Sequence, residues 1–192
     1  MGLSDTLFKH VLGVNNLVIE GIRIEEDPRP DSAGFCFVVD VRPYKSDRGR
    51  CPVCGRRCPG YDSPRRPQLW RSPDINGIRT CLSFRACRIC CPEHGARQEA
   101  LPWAGPGTRL ARDFAMLCAL MAMRLSRKAA SELMRVDWAT AQSCVRKALR
   151  MLDPDPSRRF KGLVNIGIDE TSYAKGHKHV TTVVNHDTGE VV

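Results

Sequence analysis

Residues 51–55 read CPVCG and residues 91–95 read CPEHG. The frame Cys-Pro-x-ligand-Gly thus occurs twice, with His94 standing where the first copy has Cys54. Two donors at this spacing reach one ion, and the glycine lets the backbone turn so that amides face sulfur. The spacing is that of a zinc knuckle. It predicts one structural Zn2+ held tetrahedrally by Cys51, Cys54, Cys91 and His94, with no ligand position left open for catalysis. Cys87 and Cys90 share the C-x2-C spacing and form a competing set; the recurring Pro and Gly favour the first. Ten cysteines in a chain without a basic-then-apolar leader suit metal ligation better than disulfides. Cys118 and Cys144 fall in apolar helical patterns as small core residues.

Between the two frames lies a hairpin signal. QLWRS (68–72) and IRTCLSFRACRI (78–89) flank Asn76-Gly77, a dipeptide suited to a tight turn. The second strand alternates apolar residues with Arg79 and Arg85, so the expected module is a zinc-ribbon-like domain over residues 46–104 that displays basic side chains. Upstream, residues 1–45 read as a short helix near SDTLFKHVLG (4–13) followed by two strands, LVIEGIRIEED (17–27) and GFCFVVDVRP (34–43), which are expected to pair with the ribbon.

Downstream the period becomes helical. Leu110, Phe114, Leu117, Met121 and Leu125 mark one helix. Ser126 caps a second over 127–134, with Ala130 and Leu133 inward. Asp137 caps a third over 138–152, with Trp138, Ala141, Val145 and Leu149 inward. Helices joined by a tight turn at Arg135-Val136 have the plan of a helix-turn-helix domain over 107–152. The third helix then presents Thr140, Gln142 and Ser143 to base edges and Arg146, Lys147 and Arg150 to phosphates.

The charge agrees. Residues 46–150 hold twenty Lys/Arg against eight Asp/Glu, while the flanking stretches are near neutral, within a chain of net +9. A field concentrated in this way suits a polyanion, most simply double-stranded DNA. No apolar run approaches a membrane span, and a cytoplasmic, nucleoid-associated protein is expected.

Pro154 and Pro156 end the third helix, and residues 153–160 read as a linker. LVNIGID (163–169) and HVTTVVNH (179–186) then read as strands, with Gly167 allowing close packing and Asp169 near the end of the first. Glu170 falls on the opposite face.

The whole pattern resembles the DDE transposases of the ISL-three insertion-sequence family over nearly all of residues 45–192. The resemblance rests on CPVCG with its second Cys-Pro frame and LPWA (101–104), on FAMLCALMAMRLSRKAASELMRVDWATAQ (114–142), and on IGIDETSYAKGHKHVTTVVNHDTGEVV (166–192). His94 replaces the more usual Cys, and His179-Val180 replaces an expected aromatic position. The resemblance implies an α+β chain: the zinc-binding domain, the helix-turn-helix domain, and residues 161–192 as the opening of a ribonuclease-H-like α/β catalytic domain. It implies that Asp169 is the first catalytic carboxylate of a site that, when complete, holds two Mg2+ ions. The 192 residues would then bind the terminal inverted repeats of an insertion element without cutting them, alone, as a homo-oligomer, or beside a full-length transposase. A free-standing zinc-containing DNA-binding regulator derived from a transposase is the alternative.

Overall fold

The computed structural model describes residues 17–174, Gly176 and 178–192. The helix expected at 4–13 lies outside the described residues. The chain divides into two compact units, residues 1–148 and 149–192.

The first unit is built on a four-stranded sheet. Strands β1 (Leu17–Glu26) and β2 (Phe35–Pro43) pair antiparallel, with a bulge between Ile19 and Gly21. Strands β4 (Gln68–Ile75) and β5 (Ile78–Phe84) form the hairpin turned by Asn76-Gly77. Both turn residues have positive φ, 50° and 78°, the condition for a two-residue turn whose twist matches the strands. The two pairs join through β2 and β5, which run parallel with Val39 opposite Leu82. The sheet order is therefore β1-β2-β5-β4, and it crosses the boundary expected at residue 45. Pro73 lies inside β4 where the register shifts between Ser72 and Ile75, the irregular position a proline tolerates.

A second, three-stranded sheet carries the second knuckle, while the first lies between Arg50 and Arg57, which form an isolated bridge. Its order is β3 (Gly60–Asp62), β6 (Arg88–Cys91), β7 (Gly95–Gln98). The expected long strand 78–89 is thus split. β5 stops at Phe84, and Arg88 starts a strand in the other sheet, so the Asn76-Gly77 hairpin belongs to the β1–β2 sheet and not to the knuckle sheet.

Three helices follow: α1 (Arg112–Arg124), α2 (Arg127–Met134) and α3 (Trp138–Leu152). They share one core with the large sheet, in which Trp70, Leu82, Trp103, Phe114, Cys118 and Cys144 are buried together. Trp103 meets both Trp70 and Phe84 edge-on, at centroid distances of 6.0 and 5.4 Å. The chain entering α1 is stitched to β4 by Arg71 N–H donating to Arg109 O (2.7 Å) and Ala111 N–H donating to Arg71 O (2.8 Å). The inward residues differ in part from expectation. Met134 is buried where Leu133 is 61% exposed, and Cys144 and Ala148 are buried where Leu149 is exposed. Leu117 and Leu125 also lie outward, since Phe114, Cys118 and Ala119 already fill the core-facing side of α1.

The second unit is a hairpin of β8 (Ile166–Ala174) and β9 (Lys178–Asn185), antiparallel with Asp169 opposite Thr182. A 3-10 turn over Pro156–Phe160, capped by Asp155, occupies the expected linker. Gly167 is a close-approach position: a Cβ there would come within 2.5 Å of the His186 ring. Past β9, Val191 forms an isolated bridge with Val184.

Candidate metal centre and exposed helix face

The first knuckle turns at residues 51–54. Cys51 N–H donates to Arg56 O (2.8 Å) and Gly55 N–H donates to Cys51 O (2.9 Å), with Gly55 at φ 70°. The second knuckle is the turn between β6 and β7, with Gly95 at φ 69°. Both glycines adopt the left-handed conformation that the repeated frame requires. The donor atoms of Cys51, Cys54, Cys91 and His94 all lie within 4.8 Å of one another. Cys54 Sγ is 3.8 Å from Cys91 Sγ, and His94 Nδ1 is 3.7 Å from Cys51 Sγ and 3.5 Å from Cys91 Sγ. This cluster can hold a metal ion.

The competing pair is left out of it. Alternation along β6 buries Ile89 and Cys91 and exposes Arg88 and Cys90, so adjacent Cys90 and Cys91 lie on opposite faces. Cys87 Sγ instead meets Ser63 Oγ at 3.2 Å. Within the cluster, burial works against ionisation of Cys91. The Glu93 and His94 amides and the Cys51 and Cys54 thiols outweigh it and bring Cys91 down to about 7. Cys51 is also lowered, chiefly by the Cys54 amide. Cys54 is instead raised: the Arg56 amide favours its thiolate, but burial and the Cys51 and Cys91 thiols outweigh it, so a bound cation is needed to hold all three thiolates together.

Glu99 is the residue the sequence reading missed. It is 3% exposed, and its two carboxylate oxygens accept from Cys87 N–H (2.9 Å) and Gly49 N–H (2.9 Å). It therefore clamps the strand carrying one knuckle to the approach to the other. An acid at the end of a strand gives no local sign of this.

Of the arginines expected to meet DNA, Arg85 is exposed. Arg79 is not free to do so. Its side chain is 11% exposed and pairs with Asp27 (3.4 Å) and Asp31 (3.9 Å), so its charge is matched inside the fold. A second buried group lies nearby. Arg71 pairs with Asp74 (2.5 Å) and lies 4.8 Å from the centroid of the Phe114 ring. Burial, with the Arg79 and Arg135 cations, lowers Arg71 to about 10.

The turn between α2 and α3 is held by side-chain caps and backbone bonds. Ser126 Oγ accepts from Ala129 N–H (3.3 Å) at the start of α2. Arg135 ends α2 in the left-handed conformation, and Val136 N–H closes back onto Ser131 O (3.2 Å). Asp137 then caps α3, accepting from Thr140 N–H (2.8 Å) and Thr140 Oγ1 (2.7 Å). These bonds hold the Asp137 carboxyl below the usual carboxylate range, with the Thr140 hydroxyl the largest cause. Thr140 is thereby engaged in the cap. Along α3, Ala141, Cys144 and Ala148 are buried while Gln142, Arg146, Lys147 and Arg150 are exposed and Ser143 is half-buried.

Asp169 is exposed on β8, where Thr171 Oγ1 approaches its carboxylate at 3.5 Å. Among the described residues it belongs to no group of three or more metal-ligating side chains. Glu170 is engaged by Thr181 Oγ1 at 3.2 Å. No helix among the described residues is long and apolar enough to cross a membrane.

The chain is similar to the transposase for insertion sequence element IS1557 of Mycobacterium tuberculosis, 37% identical over 187 residues. That match takes in 97% of this chain and 41% of the relative. It is also similar to the transposase for insertion sequence element IS1001 of Bordetella parapertussis, 24% identical over 169 residues, 86% of this chain and 40% of the relative. The chain thus spans about two-fifths of the length of these relatives. No family model matches it, and no solved structure does.

Proposed function

We propose that this chain is the DNA-recognising, N-terminal part of an insertion-sequence transposase of the ISL-three type, binding the terminal inverted repeats of its element. The observation that carries the reading is the 37% identity to a transposase along 97% of the chain. The capped α2-turn-α3 pair with its basic outer side supports it. In this reading the Asp137 cap sets the start of α3. The Gln142 amide and the Ser143 hydroxyl address base edges, and Arg146, Lys147 and Arg150 meet phosphates. Arg85 adds a phosphate contact from the sheet side.

The ion proposed for the cluster is Zn2+. Bonds of about 2.3 Å to sulfur and about 2.0–2.1 Å to nitrogen in a tetrahedron place the donors about 3.8 Å apart for S···S and about 3.6 Å for S···N. The separations of 3.8, 3.7 and 3.5 Å fit those edges. When bound, Zn2+ supplies a cross-link between the knuckles. Asp169 is proposed as the first carboxylate of a two-Mg2+ site that needs further acids to complete it.

Fluorescence anisotropy with duplexes bearing the ends of the cognate element, against scrambled duplexes of equal length, tests the reading. Preferential binding to the ends is expected. Equal affinity for both duplexes at physiological salt removes the assignment.

A further inference from the structure

Helix α1 is apolar on two sides. Phe114, Cys118 and Ala119 face the core. On the opposite side Met116, Leu117, Leu120 and Met123 are each between 36% and 48% exposed. At 100° per residue these four fall on one continuous stripe, separate from the buried one. A helix that is apolar all round is ordinarily covered all round. The ends of the stripe are charged: Asp113 lies in the first turn of α1 and Arg124 in the last. Neither takes part in an ion pair among the described residues.

We infer that this stripe is a self-association surface on which α1 of a second copy packs antiparallel about a two-fold axis. The charge pattern selects the occupant. An antiparallel two-fold centred between Leu117 and Leu120 sets Asp113 of each copy opposite Arg124 of the other, with the leucines in the middle. An isologous interface must be self-complementary in this sense, and a parallel arrangement would place like charges together. Antiparallel packing also opposes the two helix dipoles favourably. The face of one helix is small against a standard interface, so the association is weak and reversible.

Analytical ultracentrifugation of the 192-residue protein over a concentration series tests this. A reversible monomer–dimer equilibrium is expected. Leu120→Glu, at an exposed position, should raise the dimer Kd at least about tenfold. Asp113→Arg and Arg124→Asp should each raise it about fivefold, and the two together should restore it. Far-UV circular dichroism and bound-metal content show that each variant is folded. A protein that stays monomeric throughout, a Leu120→Glu variant that associates like the parent, or a charge swap without rescue overturns the inference.

Discussion

Arg135, in the turn between α2 and α3, donates from Nη2 to the carbonyl of Gly77 at the tip of the β4–β5 hairpin (2.8 Å). The same guanidinium bonds Asp74 and donates from Nη1 to Asp31 O (3.0 Å). The turn of the helix pair is thereby latched to the sheet by one side chain. Asp74 is shared, because it also pairs with buried Arg71. Removing Asp74 takes the carboxylate from buried Arg71 and leaves Arg135 only its two carbonyl acceptors. Asp74→Ala should cost roughly 3 kcal/mol and Arg135→Ala roughly 2 kcal/mol in urea unfolding. The double variant should cost less than the two summed, by more than about 1 kcal/mol. Strict additivity would show that the two side chains do not act together.

The metal centre predicts one Zn2+ per chain by elemental analysis. Cys54→Ser, Cys91→Ser and His94→Ala should each abolish or sharply reduce it, while Cys87→Ser and Cys90→Ser should leave it unchanged. The pH dependence follows from the two depressed thiols, Cys51 and Cys91. A cysteine whose folded pKa is lowered favours the folded, thiolate form above its unfolded pKa and loses that advantage as pH falls through the folded value. With Cys91 at about 7, proton competition should weaken metal uptake as pH falls below neutrality. Retention of zinc by the Cys91→Ser protein would displace the ligand set.

Glu99 touches no ligand atom and still should matter for metal affinity. Its carboxylate satisfies two partly buried amides that lead into the two knuckles. Glu99→Ala leaves both amides without that acceptor, at a cost of roughly 2–4 kcal/mol. It should lower zinc affinity about tenfold or more, by analogy with other supporting groups around metal sites. Glu99→Gln should fall between. A competition titration with a chromophoric chelator reads both, and an unchanged affinity in Glu99→Ala would limit its role to folding.

The DNA reading separates arginines that look alike in sequence. Arg146→Ala or Lys147→Ala should each lower the slope of log K against log salt by about one unit. Arg79→Ala should leave that slope unchanged and instead lower stability, because Arg79 is bound to Asp27 and Asp31. A lost salt contact in Arg79→Ala with full stability would reverse this assignment.

For catalysis the expectation is negative for residues 1–192 alone. The acids needed for a two-metal site do not gather around Asp169 among the described residues. Incubation with element ends and Mg2+ or Mn2+ should yield no cleavage, and Asp169→Ala should leave DNA affinity unchanged. Metal-dependent cleavage that vanishes in Asp169→Ala would demonstrate a working site.

What the sequence reveals here follows from the range of each interaction. Asn76-Gly77, the caps Ser126 and Asp137, and the two knuckle frames are each governed by rules spanning a few residues, and each is legible. That the upstream strands pair with the hairpin module is legible too, but the parallel direction and the register of β2 on β5 are not, because they depend on strands far apart in the chain. The same limit hides Arg79, whose alternation marks a face but not the acids of the 27–31 loop that lie against it. On the helices, the pattern gives the period correctly but misplaces Leu133 and Leu149. Small residues such as Cys144 and Ala148 allow close packing against the core, and these leucines fall to the other side.

The two knuckles bracket the β4–β5 hairpin, and this has a kinetic meaning. Val39 and Leu82 must find each other across about forty residues of chain, a slow non-local search. An ion joining Cys51 and Cys54 to Cys91 and His94 shortens the path between β2 and β5 to about twenty residues and removes much of the loop-closure entropy in advance. Metal binding to the unfolded chain would then act as a guide to topology. A chelated sample should refold more slowly even under conditions where its final stability is restored.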